Sequence, residues 1–188
     1  MTVGVLALQG DYSEHIGILN TLKVKAAEVR TPADLKHVQK LIIPGGESTT
    51  IASLLETTGL RKAIISRARK GTLTIFGTCA GAILLARKVS GKNVPPTLGL
   101  LNMKIERNAF GSQLQSFEAH LNIKGLQDPM VVSFIRAPRI TKTGWRVEVL
   151  ASHDGYPVLV RKGKILAGTF HPELRGGTEI HRLFLKMK

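Results

Sequence analysis

The chain of 188 residues is 43% hydrophobic, a length and apolar fraction suited to a single domain, residues 1–188, with a full-sized core. One cysteine excludes an internal disulfide and points to a reducing, cytoplasmic setting. The formal charge of +14 would suit nucleic acid, but the cations are dispersed, aromatic residues make up 5%, and no basic stretch is interleaved with rings, so nucleic-acid binding is not expected.

Val3 to Leu8 is a short apolar run that reads as a first strand and not as a signal peptide. No apolar stretch approaches the roughly 20 residues needed to span a bilayer, so no membrane association is expected. Tyr12 to Leu22 has helical spacing, with Ile16, Leu19 and Leu22 on one face, and Ala26 to Val29 reads as a second strand. Lys40-Leu41-Ile42-Ile43-Pro44 is a third, followed by Gly45-Gly46-Glu47-Ser48 and a helix from about Thr49 to Leu55. A basic helix runs from Leu60 to Arg69, and Arg61, Lys62, Arg67, Arg69 and Lys70 read as its solvated face; the excess charge as a whole reads as surface character fitted to an acidic protein partner. The strand Leu73 to Phe76 then leads through Gly77-Thr78-Cys79-Ala80-Gly81 into a helix-like run ending at Ala86. Continuous apolar strands alternating with helices predict an α/β fold, a mostly parallel sheet covered on both faces.

Beyond Ala86 the pattern changes. Ser90 to Asn102 is rich in Gly, Pro and Asn, and strand-like runs follow at Met103 to Arg107, Ser116 to Ile123 and Met130 to Arg136. Three more, Arg146 to Ala151, Tyr156 to Arg161 and Ile165 to Phe170, are separated by the turn pairs Asp154-Gly155 and Lys162-Gly163. A helix from about Gly177 to Met187 closes the chain.

Ligands of parallel α/β sheets gather at the carboxyl ends of the strands, where three loops fall: Gln9-Gly10-Asp11, Gly45-Gly46-Glu47-Ser48 and the Cys79 segment. A nucleophile flanked by small residues between strand and helix has the form of a nucleophile elbow. It sets the sulfur at a helix N-terminus, where unpaired N–H groups favour a thiolate. A buried structural cysteine is the alternative. Among six histidines, His171 has the context of a base: in His171-Pro172-Glu173 an extended backbone puts the carboxylate of Glu173 on the same side as the imidazole. Cys79, His171 and Glu173 thus have the order nucleophile, base and orienter. His15, His37 and His181 on helix-like segments, and His120 and His153 in or beside strands, show no metal-ligand spacing and read as surface or core residues; no metal is expected.

Pro44-Gly45-Gly46-Glu47-Ser48-Thr49, Gly77-Thr78-Cys79-Ala80-Gly81 and His171-Pro172-Glu173 together resemble the class I, triad-type glutamine amidotransferases. Leu6-Ala7-Leu8-Gln9-Gly10-Asp11, Gly99-Leu100-Leu101-Asn102, Arg107-Asn108-Ala109-Phe110-Gly111, Ser116-Phe117-Glu118 and Phe134-Ile135-Arg136-Ala137-Pro138 narrow the likeness to the glutaminase subunits of pyridoxal 5'-phosphate synthase. Arg175 departs from that pattern, which more often has Thr or Ser there. The resemblance implies a three-layer, flavodoxin-like class I glutaminase fold with extra β-strands in the C-terminal half. It implies that Cys79 attacks the side-chain amide of L-glutamine while His171, oriented by Glu173, moves the protons. Gly46, Glu47, Ser48, Arg107, Ile135 and Arg136 are the implied substrate contacts, and the N–H groups of Ala80 and of the Gly45-Gly46 turn the oxyanion donors. Ammonia would pass to a (β/α)8-barrel synthase subunit, and the glutaminase would need no cofactor. Another cysteine hydrolase of similar fold, a non-catalytic binding module and, on charge alone, an RNA-binding protein are the competing readings.

Overall fold

The structure, a computed structural model, describes residues 2–107, 116–175 and 177–188, so Asn108-Ala109-Phe110-Gly111 lies outside the described residues. The first half of the chain alternates β1 (Thr2–Leu6), α1 (Tyr12–Thr21), β2 (Lys25–Val29), α2 (Pro32–Lys36), β3 (Lys40–Ile43), α3 (Ser48–Thr57), α4 (Leu60–Arg69), β4 (Thr74–Thr78) and α5 (Ala80–Leu85). The second half is β5 (Ala86–Ser90), β6 (Leu101–Glu106), β7 (Ser116–Leu121), β8 (Met130–Ile135), β9 (Arg139–Thr143), β10 (Glu148–His153), β11 (Tyr156–Lys162), β12 (Ile165–Gly168) and α6 (Glu179–Lys186).

A seven-stranded sheet with the order β10-β11-β12-β4-β3-β1-β2 forms the centre. The five strands from β12 to β2 are parallel, and β11 and β10 extend the edge antiparallel. The order β2-β1-β3-β4-β12 is that of a flavodoxin-like sheet. Successive side chains of a strand point to opposite faces, and both faces are filled. Leu41, Ile43 and Ile75 pack with Ile51, Leu55, Leu60, Ile64 and Leu84 of α3, α4 and α5. Ile42 and Phe76 pack on the other face with Leu19 of α1 and Ile180 and Phe184 of α6. Two small sheets, β5-β6-β9 and the hairpin β7-β8, sit outside this frame. Among the described residues no helix is long and apolar enough to cross a membrane.

Several expectations shift. Helix α5 ends at Leu85, and Ala86, its C-cap, also opens β5, which pairs in parallel with β6, while β9 adds a strand in a stretch without strong apolar alternation. Helix α2 is set by its cap, since Thr31 accepts from the Asp34 N–H, Asp34 accepts from the Thr31 N–H at 2.8 Å, and Pro32 opens the first turn. Helix α1 buries His15, Ile18 and Leu19, with Ile16 and Leu22 only partly covered, so its inward face is turned from the apolar stripe. Arg61 and Arg67 of α4 are not simply solvated. Arg61 reaches the Thr97 carbonyl at 2.9 Å and Arg67 the carbonyls of Thr72 and Leu35, tying neighbouring loops and α2 to the helix.

Candidate active site

Four adjacent parallel strands end in the loops that meet here: β12 before His171, β4 before Cys79, β3 before Gly45, and β1 before Gln9. They border a cavity of about 420 Å³, within the range of small-molecule sites. Gly46, Glu47, Ser48, Cys79, Ala80, Arg107, Ile135, Arg136 and His171 all line it, and Glu173 sits behind His171.

Cys79 is 8% exposed and takes φ 46°, ψ −102°, a backbone conformation rare for a residue with a side chain. Its N–H is fixed to the Gly168 carbonyl of β12 at 2.8 Å. The flanking glycines do not supply the positive φ; they permit close approach. A Cβ on Gly77 would lie 2.7 Å from the carbonyl of Gly81, and one on Gly81 2.1 Å from the Ile43 oxygen. The elbow is tight because α5 is pressed onto the ends of β3 and β4, and the cysteine takes the strain.

His171 is held by its backbone, whose N–H donates to the Ser133 carbonyl of β8 at 2.8 Å. Its Nδ1 is 2.7 Å from Glu173 Oε1 and 3.5 Å from Asp11 Oδ2. Burial opposes charge on this imidazole, but hydrogen bonds and negative charge from Cys79 and Glu173 outweigh it and push its pKa up to about 10. The site therefore favours an imidazolium at His171. Glu173 is 4% exposed, and burial raises its pKa against the opposing pull of His171.

The Gly45-Gly46 turn is braced by the loop that follows β1. Asp11 N–H donates to Gly45 O at 3.2 Å, and Glu47 N–H donates to Gln9 Oε1 at 2.8 Å. Gly46 has φ 148°, and any Cβ there would meet Gln9 Oε1 at 2.6 Å. The Glu47 carboxylate caps α3, accepting from Thr50 N–H at 2.7 Å and from the Thr49 and Thr50 hydroxyls. Burial pushes its pKa up, but these bonds prevail and lower it to about 2. Its other oxygen pairs with Arg107 Nη2 at 3.0 Å, while Arg107 Nη1 donates to the carbonyls of Lys92 and Asn93. Arg136, with φ 44°, is exposed at the end of β8 and has no side-chain hydrogen bond or ion pair among the described residues.

Arg175, two residues beyond Glu173, pairs with Glu118 of β7 across the surface. Asp11, His171 and Glu173 place ligand atoms within 4.8 Å of one another, but a metal ion on His171 Nδ1 would displace the bond to Glu173. The sequence marks the Gln9-Gly10-Asp11 loop without roles for its side chains, and the structure puts Gln9 and Asp11 on the cavity wall with Ile83 and Leu174. The position of that loop at a strand's carboxyl end is the signal that locates it.

A model of the SNO glutamine amidotransferase family matches residues 5–188. "Pyridoxal 5'-phosphate synthase subunit PdxT" of Thermus thermophilus is 52% identical over 98% of this chain and 96% of its own length. The protein of the same name from Chloroflexus aurantiacus is 50% identical over 100% of both chains. A solved crystal structure of a glutamine amidotransferase superposes with TM-score 0.94 at 49% identity, covering 98% of this chain and 97% of its own. PurLQS from Thermotoga maritima, at 16% identity and TM-score 0.76, shares the fold. The likeness spans the elbow, the glycine turn and the His-Pro-Glu segment alike, and the chain belongs to the SNO glutamine amidotransferase family.

Proposed function

We propose that the chain is the glutaminase subunit of a pyridoxal 5'-phosphate synthase, hydrolysing L-glutamine to L-glutamate and ammonia through Cys79. The observation that carries the reading is the 2.7 Å contact of His171 Nδ1 with Glu173 Oε1 beside a cysteine whose backbone is strained into the same cavity. With Nδ1–H donated to Glu173, Nε2 is left to exchange a proton with the sulfur. The Cys79 thiolate attacks the side-chain carbonyl carbon of glutamine, and the C–N bond breaks as His171 gives its proton to the leaving ammonia. A water, deprotonated by His171, then attacks the γ-glutamyl thioester and releases glutamate and the thiolate.

The N–H groups of Ala80 and Gly46 are the oxyanion donors of this scheme. Gly46, Glu47, Ser48 and Ile135 shape the substrate cavity. Arg107 is committed to Glu47, so Arg136, whose guanidinium is uncommitted, is the better holder of the substrate α-carboxylate. The braces from Gln9 and Asp11 on the Gly45-Gly46 turn suggest why such a subunit would idle alone: the donor must be re-aimed before it can serve. A (β/α)8-barrel synthase subunit is the partner that would do so and receive the ammonia, in the cytoplasm.

Glutaminase assays of the chain alone and mixed with the barrel subunit test this. Addition should raise kcat by roughly 10²–10³, the worth of one oxyanion donor. A diazo-ketone analogue of glutamine should label the chain once, at Cys79, and stop turnover. Activity surviving in Cys79→Ala would overturn the mechanism, and full activity without the partner would overturn the gated subunit.

A further inference from the structure

Two buried histidines take no part in the scheme above. His15 of α1 and His181 of α6 are both 0% exposed, and their rings meet with His15 Nδ1 2.9 Å from His181 Nε2. The other nitrogen of His15, Nε2, lies 3.2 Å from Thr78 Oγ1, on the residue before Cys79, and 3.5 Å from Glu173 Oε2. That carboxylate oxygen is the one His171 does not use, and it is buried without a hydrogen bond among the described residues.

The protons can be assigned from these contacts. Burial holds both imidazoles neutral, His181 down at about 4 and His15 lowered further by the neighbouring His181 and His171, so each carries one N–H. Were His15 Nδ1–H to donate to His181, His15 Nε2 would turn a lone pair toward the Glu173 carboxylate. His181 Nδ1, which has no partner, would then carry a buried N–H with no acceptor. In the opposite polarity His181 Nε2–H donates to His15 Nδ1, His15 Nε2–H faces Thr78 and Glu173, and only a lone pair on His181 goes unused. The second arrangement satisfies every N–H.

We propose that His15 is a positioning residue of the glutaminase reaction: its Nε2–H, aimed by His181 at Thr78 and standing 3.5 Å from the second oxygen of Glu173, favours the carboxylate whose first oxygen faces His171. The proposal rests on the glutaminase reading for its kinetic consequence, though the proton assignment stands apart from it. The other titratable groups acting on Glu173 are His171 and Asp11, and Asp11, like burial, favours the protonated acid. His15 Nε2–H then counters Asp11 and burial from the Oε2 side.

The test compares His15→Leu, which keeps bulk without a donor, with His15→Gln, whose amide N–H can stand near the Nε2 position, both assayed with the barrel subunit present. His15→Leu should lower kcat about ten- to a hundredfold, the worth of a donor that faces a buried charged group, with KM unchanged. Its acid limb of kcat/KM should move to higher pH, and His15→Gln should recover most of both. Equal losses in the two variants with an unmoved acid limb, or a wild-type profile in His15→Leu, would overturn the proposal. Nitrogen-15 imidazole NMR of the unaltered protein gives a readout that needs neither turnover nor a folded variant. It should show His15 and His181 as neutral Nε2–H tautomers from pH 5 to 8; an Nδ1–H tautomer or an imidazolium at His15 would overturn the assignment. A wild-type protein inactive with its partner but carrying these two tautomers would refute the glutaminase reading while leaving the histidine polarity intact.

Discussion

Replacing Gly81 with alanine puts one methyl group where the structure has no room for it. The new Cβ would stand 2.1 Å from the Ile43 oxygen and 2.9 Å from its carbonyl carbon, both backbone atoms at the end of β3. Contacts of Cβ below 3.0 Å essentially never occur, so α5 must retreat from β3 by roughly 0.9 Å. Overpacking of this kind costs about 1–3 kcal/mol, which for a domain of this size lowers Tm by roughly 2–12 °C. The larger effect should be on turnover. Cys79 and the Ala80 N–H ride on the start of α5, and a misplacement near 1 Å at a reacting group costs about 10² in rate. Gly17→Ala is the control: nothing lies within 4 Å of its Cβ on the exposed side of α1. That change should gain about 0.8–1 kcal/mol of helix propensity and raise Tm by roughly 2–4 °C with kcat untouched. Thermal unfolding and steady-state glutaminase assays with the synthase subunit read both variants. Wild-type kcat in a folded Gly81→Ala protein would refute the claim that this contact sets the position of the nucleophile.

Arg136→Ala should raise KM for glutamine about ten- to a hundredfold, the loss of a charge-assisted contact of about 1.5–3 kcal/mol. An unchanged KM with the fold intact would return that role to Arg107. Linkage at His171 supplies a second measurement, by urea unfolding at pH 6, 8 and 10. The native pKa of about 10 exceeds the ordinary 6.5, so the native state holds a proton that the unfolded chain has released. The stabilisation is full below pH 6.5 and disappears as pH climbs through about 10, so the advantage of wild type over His171→Gln should shrink across that range. A pH-independent difference would show that the imidazolium does not form.

What could be read from the sequence follows physical lines. Strands β1, β3, β4 and β12 are covered on both faces, so they appear as unbroken apolar runs, and the loops after them were visible as the place for chemistry. Strands β5 and β9 carry Arg87, Lys88 and Lys142 at exposed positions, two of them adjacent, which hides the alternation. Helix α2 is too short for a period and declares itself only through Thr31, Pro32 and Asp34. Cys79 and the His171-Pro172-Glu173 segment were legible because local chain geometry presents them. The pairing of His15 with His181 was not, since the two are 166 residues apart and a histidine inside a helical stripe looks the same whether it meets solvent, core or a partner ring. The commitments of Arg107 and Glu47 to each other, 60 residues apart, were hidden for the same reason.

The backbone at Cys79 has an implication for how such a protein ages under selection. Positive φ with ψ near −102° costs a side-chain-bearing residue about 1–3 kcal/mol, while glycine occupies that region with little penalty. A Cys79→Gly lineage would therefore keep the fold, relieve the kink and lose the sulfur in one codon change. Catalysis here is maintained against a mutational slope that runs toward a sturdier, silent descendant. Where ammonia reached the synthase by another route, the elbow would be among the first places to relax.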